Sequence, residues 1–135
     1  MLKTLIGSVS LATILMVQGA AAQETINMWV RTGIGTAFTS LADAYNASHE
    51  NQIQLTEVPF AELVQKYATA IAGGQAPDAL SLDLIYTPSF AAAGQLEDLT
   101  DWAQGLPYYS ALAPAHVTLG SYDGRNYGLP LLVET

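Results

Sequence analysis

Arg31, Thr32, Gly33, Asp83, Tyr86 and Glu134 are the residues of this 135-residue chain whose types and positions suit the gripping of a small polar molecule. Thr32 brings a hydroxyl, Asp83 and Glu134 bring acceptors, Tyr86 an aromatic face and Arg31 a cation. Carboxylates accept hydrogen bonds from the hydroxyls of a polyol, and an aromatic ring covers the apolar face of a sugar. Each side chain also has a plainer use. Arg31 can pair with a surface carboxylate, Asp83 can cap the segment after it, Tyr86 can belong to the core, and Glu57 reads as a solvated strand end. Glu134 follows an apolar run directly, where a buried carboxylate needs a partner.

These groups converge only if the elements between them place them on one rim. Residues 26–30 read as a buried strand and residues 31–36 as a turn. Phe38, Leu41, Ala42 and Tyr45 then recur at i, i+3, i+4 and i+7, one face of a helix that fades in the turn chemistry of residues 46–49. Ile53 and Leu55 alternate with Gln52, Gln54 and Thr56 as a second strand. Pro59 opens a second helix with the apolar stripe Phe60, Leu63, Val64, Tyr67 and Ile71, closed by Gly73-Gly74. Residues 79–82 form a third strand ending at Asp83. Thr87 is placed to cap the next helix, with Pro88 at its first position and Gly94 at its end. The order strand, helix, strand, helix, strand, helix predicts an α/β fold with a mainly parallel sheet and helices on both faces. In such a sheet ligands bind beyond the carboxyl ends of the strands. That rule gathers residues 31–33, Glu57, residues 83–86 and Glu134 onto one margin.

Between residues 95 and 120 the pattern breaks into short pieces. Asp101 and Pro107 read as starts of brief helices, and Leu112, Val117 and Leu119 as packing contacts. Asp123-Gly124, between arms carrying Tyr122 and Tyr127, predicts a two-residue hairpin turn with both residues at positive φ. Residues 131–133 read as a buried strand, which Pro130 confines to an edge or sends out of the body. A chain that stops just past such a strand reads as a fragment.

Composition excludes several functions. Lys+Arg 4 against Asp+Glu 12 gives −8, with no basic cluster to neutralise phosphates, so nucleic acid is not a partner. Half the residues are hydrophobic, as expected of a folded chain. Gly33-x-Gly35-x-x-Phe38 begins like a dinucleotide fingerprint, but Phe38 stands where close helix–strand packing needs glycine. No Gly-x-Ser-x-Gly elbow and no P-loop occurs. His49 and His116 lack the spacing of a zinc site and read as surface or helix-end residues, so neither a metal nor a cofactor is expected. Glu97 and Asp98 are adjacent and point apart on any regular element, which disfavours them as a glycosidase pair. Asn46-Ala47-Ser48 fits a glycosylation sequon of a kind common by chance.

Residues 1–22 read as a signal peptide. Lys3 supplies the positive charge, residues 5–17 the apolar run, and Ala20-Ala21-Ala22 the small-residue cleavage site. A spanning helix needs about 20 apolar residues, more than this run offers. Cleavage after Ala22 leaves residues 23–135 and, with Lys3 gone, moves the charge from −8 to −9. An exported chain with no cysteine must be stabilised by its core alone, which argues for a large parent domain.

Together, the export leader, the strand ending in Trp29-Val30, Gly73-Gly74-Gln75-Ala76-Pro77-Asp78, the segment from Phe90 to Leu99 and Tyr122-Asp123-Gly124-Arg125-Asn126-Tyr127-Gly128-Leu129-Pro130 resemble one family. It is that of the extracellular solute-binding proteins of bacterial ABC importers, in the sugar-binding group of the maltose-binding and glycerol-phosphate-binding proteins. The resemblance implies a two-lobed, type II periplasmic-binding-protein-like fold, of which residues 23–135 are most of the N-terminal lobe and the first crossing strand. It further implies a monomeric, non-catalytic periplasmic receptor that closes on a small carbohydrate or polyol and delivers it to permease subunits. Glu134 matches an acidic sugar-contacting position of the maltose-binding member, while Asp83 falls near such positions. The alternatives are a receptor for a cationic solute such as a polyamine, which the acidic balance suits, and an exported carbohydrate-active enzyme.

Overall fold

The computed structural model describes residues 23–131, so the leader (1–22), the strand at 131–133 beyond its first residue and Glu134 lie outside the described residues. Strand β1 (Thr25–Arg31) is central, with β2 (Gln52–Val58) on one side and β3 (Ala79–Leu80) on the other. Both pairings are parallel, with Thr25 opposite Gln52, Arg31 opposite Val58 and Met28 opposite Ala79. Helix α1 (Gly35–Asn46) connects β1 to β2, and α2 (Phe60–Ala72) connects β2 to β3. This is the alternation expected of the sequence.

Successive side chains on a strand point to opposite faces. Met28, Ile53 and Leu55 accordingly share a face with Phe38, Ala42 and Tyr45 of α1. On the other face the Lys66 ammonium of α2 stands over the Trp29 ring, 4.7 Å from its centroid. Helices thus cover both faces. Val30 and Val58 at the strand ends are wholly buried, and Leu63 and Tyr67 are the buried members of the α2 stripe. Leu41 departs from expectation: it is 61% exposed, on the rim of an open apolar cavity of about 250 Å³ rather than under a neighbour.

Local chemistry fixes the joints. Asn46, read as turn chemistry, is a strand surrogate. Its Nδ2 donates to the Ile53 carbonyl at 3.0 Å, and its Oδ1 accepts from the Ile53 amide at 2.7 Å. Gly74, at φ +65, lets Gln75 N–H return to the Ala70 carbonyl at 2.8 Å and ends α2. Asp78 then fastens β3, its carboxylate accepting from the Asn27 amide at 2.8 Å while its own N–H donates to the Asn27 carbonyl.

After β3 the chain makes a 3-10 turn (Leu84–Tyr86) and α3 (Thr87–Ala92), which stops before Gly94 at φ +66. Thr87 does not cap α3. It is the first helical residue, 3% exposed, and its side chain makes no capping bond. Tyr67 ties α2 to the end of α3 by donating to the Gln95 carbonyl at 2.9 Å and meeting Phe90 edge-on at 5.0 Å. Burial raises the Tyr67 pKa.

Helix α4 (Thr100–Gln104) has Asp101 in its first turn, as expected; Pro107 starts no helix. A 3-10 turn (Tyr109–Ala111) and α5 (Pro114–Leu119) follow, and Leu119 is 41% exposed rather than packed. Strands β4 (Ser121–Tyr122) and β5 (Arg125–Asn126) form the hairpin, with Asp123 at φ +48 and Gly124 at φ +75 as the turn requires. The hairpin docks on residues 98–100. Leu99 N–H donates to the Asn126 carbonyl at 2.8 Å, the Thr100 hydroxyl accepts from the Asn126 amide at 2.9 Å, and Arg125 pairs with Asp98 at 3.0 Å. Two of the segments that carried the family resemblance, residues 90–99 and residues 122–130, are therefore joined to each other.

Candidate functional site

The carboxyl ends of the three parallel strands form one margin. β1 ends at Arg31, and the turn after it crosses to β2, with Thr32 N–H donating to the Val58 carbonyl at 2.9 Å. Gly33 follows at φ +94, a left-handed conformation that glycine adopts at little cost, and turns the chain into α1. Thr32 and Gly33 are both exposed. Glu57, one residue before the end of β2, lies over the start of α1, where a Cβ on Gly35 would overlap its carboxylate. A negative group there complements the positive end of the helix dipole. Glu57 is thus exposed, as a strand end should be, yet its carboxylate packs on the margin.

Pro59 then starts α2 with an extended backbone at φ −53 and ψ 133, which places Phe60 at the margin rather than under the sheet. Phe60 is 54% exposed, and the Arg31 guanidinium stands 5.5 Å from its ring centroid. On the far side, Asp83 precedes the 3-10 turn after β3 and Tyr86 ends it, its N–H donating to the Asp83 carbonyl at 3.0 Å. With Leu82, these two line a cavity of about 120 Å³ whose other wall is Phe60, Ala61, Leu63 and Val64 of α2.

Of the six residues singled out in the sequence, the fold brings five to this margin. Arg31, Thr32 and Gly33 sit after β1, and Asp83 and Tyr86 after β3, with Phe60 between the two sets. Glu134 lies outside the described residues. Asp83 makes no side-chain cap on the turn that follows it, and Tyr86 is 37% exposed rather than core. Phe60 was the residue missed. Its spacing fits the apolar stripe of α2, but the signal was its place directly after Pro59 and a strand end, where a residue faces the crevice.

Chemically, the margin offers carboxylates, a hydroxyl, a guanidinium and two aromatic rings. Among the described residues no three His, Cys, Asp or Glu side chains are grouped to hold a metal ion. His49 is exposed just past α1, its ring stacked on Tyr45 at 3.9 Å, and His116 is half-buried in α5.

Residues 40–135 match the family model described as bacterial extracellular solute-binding protein. No curated protein matches the sequence. Among solved structures, an ABC transporter solute-binding protein from Thermotoga lettingae, with α-D-tagatose bound, superposes with a TM-score of 0.74 at 21% identity, over 80% of this chain and 29% of that one. At that identity the likeness is one of fold. The maltotriose-binding protein of Thermus thermophilus, with maltotriose bound, gives 0.69 at 28% identity over 78% of this chain and 28% of its own. CpMnBP1 with mannotriose bound gives 0.71 at 30% identity, over 80% and 28%. The chain therefore spans less than a third of the length of these proteins.

Proposed function

The chain belongs to the bacterial extracellular solute-binding proteins, and from that premise we propose that it serves an ABC importer, capturing a small carbohydrate or polyol and delivering it to membrane permease subunits. The observation that carries this reading is the strand-end margin, where the Asp83 carboxylate and the half-exposed rings of Phe60 and Tyr86 line an open cavity. Sugars are held by such sets, with hydroxyls donating to carboxylates and the apolar ring face lying on an aromatic one. The solved neighbours hold tagatose, maltotriose and mannotriose, which supports the same ligand class here.

Arg31, Thr32, Gly33, Asp83, Tyr86 and Glu134 are the residues we assign to the binding margin. Residues 1–22 act as the leader, cleaved after Ala22, so that the receptor works outside the cytoplasmic membrane. Residues 23–135 belong to the N-terminal lobe of a two-lobed, monomeric, non-catalytic receptor. Ligand bound between the lobes shifts the population toward the closed state, because closure adds contacts that the open state lacks.

Titration calorimetry with maltotriose, mannotriose, D-tagatose and spermidine, on protein that includes the second lobe, tests this. Saccharide binding without turnover is expected. Spermidine as the sole ligand would replace the reading with a cationic-solute receptor, and hydrolysis of a glycoside would replace it with an enzyme.

A further inference from the structure

We infer that Phe60 is a ligand-contacting residue, the aromatic floor of a sugar subsite completed by Asp83 and Tyr86, and that Arg31 serves this subsite by holding the Phe60 ring. The inference rests on the carbohydrate reading above and says which residues read the ring.

Three observations carry it. First, Phe60 lies at the start of an otherwise regular helix, yet it is 54% exposed while Leu63, one turn on, is 2% exposed. The Phe60 ring borders the cavity instead of the core. Second, Phe60 shares that cavity with Asp83 and Tyr86, which arrive from a different strand end. An aromatic face and an acceptor converging from separate elements can read an apolar sugar face and its hydroxyls together. At about 120 Å³, against the roughly 300–1,000 Å³ of a complete ligand pocket, the cavity is one subsite of a larger site. Third, the Arg31 guanidinium stands 5.5 Å from the ring centroid, within range of a cation–π contact that fixes the ring. Arg31 is therefore a positioning residue, and Phe60, Asp83 and Tyr86 are the contacts.

The test measures saccharide affinity by calorimetry, using whichever of maltotriose, mannotriose and D-tagatose the wild-type protein binds, for Phe60→Leu, Phe60→Trp, Arg31→Lys and Arg31→Gln. Thermal midpoints are recorded alongside to separate folding from binding. Loss of one stacked ring should weaken binding about tenfold. Phe60→Leu should show this at an unchanged midpoint, while Phe60→Trp, which keeps a ring, stays near wild type. Arg31→Lys, which keeps a cation, should retain more affinity than Arg31→Gln. Wild-type affinity in Phe60→Leu would overturn the inference while leaving the carbohydrate reading intact. Failure of the wild-type protein to bind any of the three sugars would overturn both.

Discussion

Residues 25–72 and residues 95–128 are held together by different physics. In the first region a continuous parallel ladder runs from Thr25 opposite Gln52 to Arg31 opposite Val58, and apolar side chains cover its ends. In the second the strands are two residues long, and cohesion comes from single polar atoms and one close backbone crossing. Stability spread over many apolar contacts degrades gradually, whereas stability concentrated on a few atoms fails at those atoms. Single substitutions should therefore act locally in the second region and globally in the first.

The largest effect is expected at Gly120. Its φ of −79 is ordinary for any residue, so only space requires glycine there. A Cβ would collide with the Gly128 carbonyl, whose residue is itself bound to Gly120 O through its N–H at 3.1 Å. Backbone cannot yield as a side-chain tip does, and Gly120→Ala should cost about 3 kcal/mol by urea unfolding. Hydrogen exchange sharpens the contrast: amides of residues 120–128 should lose protection while those of β1 and β2 keep theirs. Equal loss in both would show that the two regions are one cooperative unit.

Val30→Ala probes the other side. Val30 is wholly buried at the end of the central strand. Removing two methyl-sized groups, with the cavity left behind, should cost about 2 kcal/mol. Here the loss of exchange protection should spread along the whole β1–β2 ladder rather than centre on one contact, because Val30 packs within that ladder.

Asn126→Ala comes next. Asn126 is 5% exposed, and its Oδ1 accepts the Tyr109 hydroxyl at 2.9 Å, whereas its Nδ2 is buried without a partner. Losing the acceptor strands the Tyr109 hydroxyl, while losing the unpaired amide group forfeits no hydrogen bond. The net cost should be about 1–2 kcal/mol. Tyr109→Phe in the Asn126→Ala background should then add little, and a large further loss would assign Tyr109 a role beyond this bond.

This division also explains what the sequence made legible. The elements of the first region show themselves by period, since Phe38 and Ala42, or Leu63 and Tyr67, mark a buried face by spacing alone. The Asp123-Gly124 turn and the positive φ at Gly74 and Gly94 are equally local, because backbone conformation is decided within a few residues. Leu41 shows the limit: periodicity says which face is apolar but not whether anything covers it. Thr87, expected to cap α3, and Asn126, given no role, escape the sequence for a different reason. Thr87 is buried near Gly128, forty-one positions later, and Asn126 answers to Thr100 and Tyr109, neither of which a local window contains. At the margin, the strand-end rule located Arg31, Thr32, Gly33, Asp83 and Tyr86 from order alone. Phe60 escaped because an apolar residue on helical spacing is assigned to the core before its place beside a strand end is weighed.

The smallest effect expected is the most diagnostic of the polar region, and it depends on pH. The Thr100 hydroxyl, donating to the Asp98 carboxylate at 2.5 Å, is the main cause of a lowered Asp98 pKa; the Thr100 amide adds to it at 3.0 Å, and Arg125 contributes less. A carboxylate whose pKa is lower folded than unfolded contributes stability above its unfolded value, near pH 4, and loses it as pH falls through the lower folded value. Asp98→Asn should therefore be less stable than wild type at pH 7 in urea unfolding, and the gap should narrow below about pH 4. Because Arg125 is a minor cause and its side chain is 64% exposed, Arg125→Ala should leave most of this pH dependence in place, and added salt should change it little. Thr100→Ala should remove most of it. The reverse ranking, with Arg125→Ala flattening the profile and Thr100→Ala sparing it, would mean that charge pairing rather than the hydroxyl clamp fastens residues 98–100 to the hairpin, and the contrast between the two regions would then be one of ion pairs against burial.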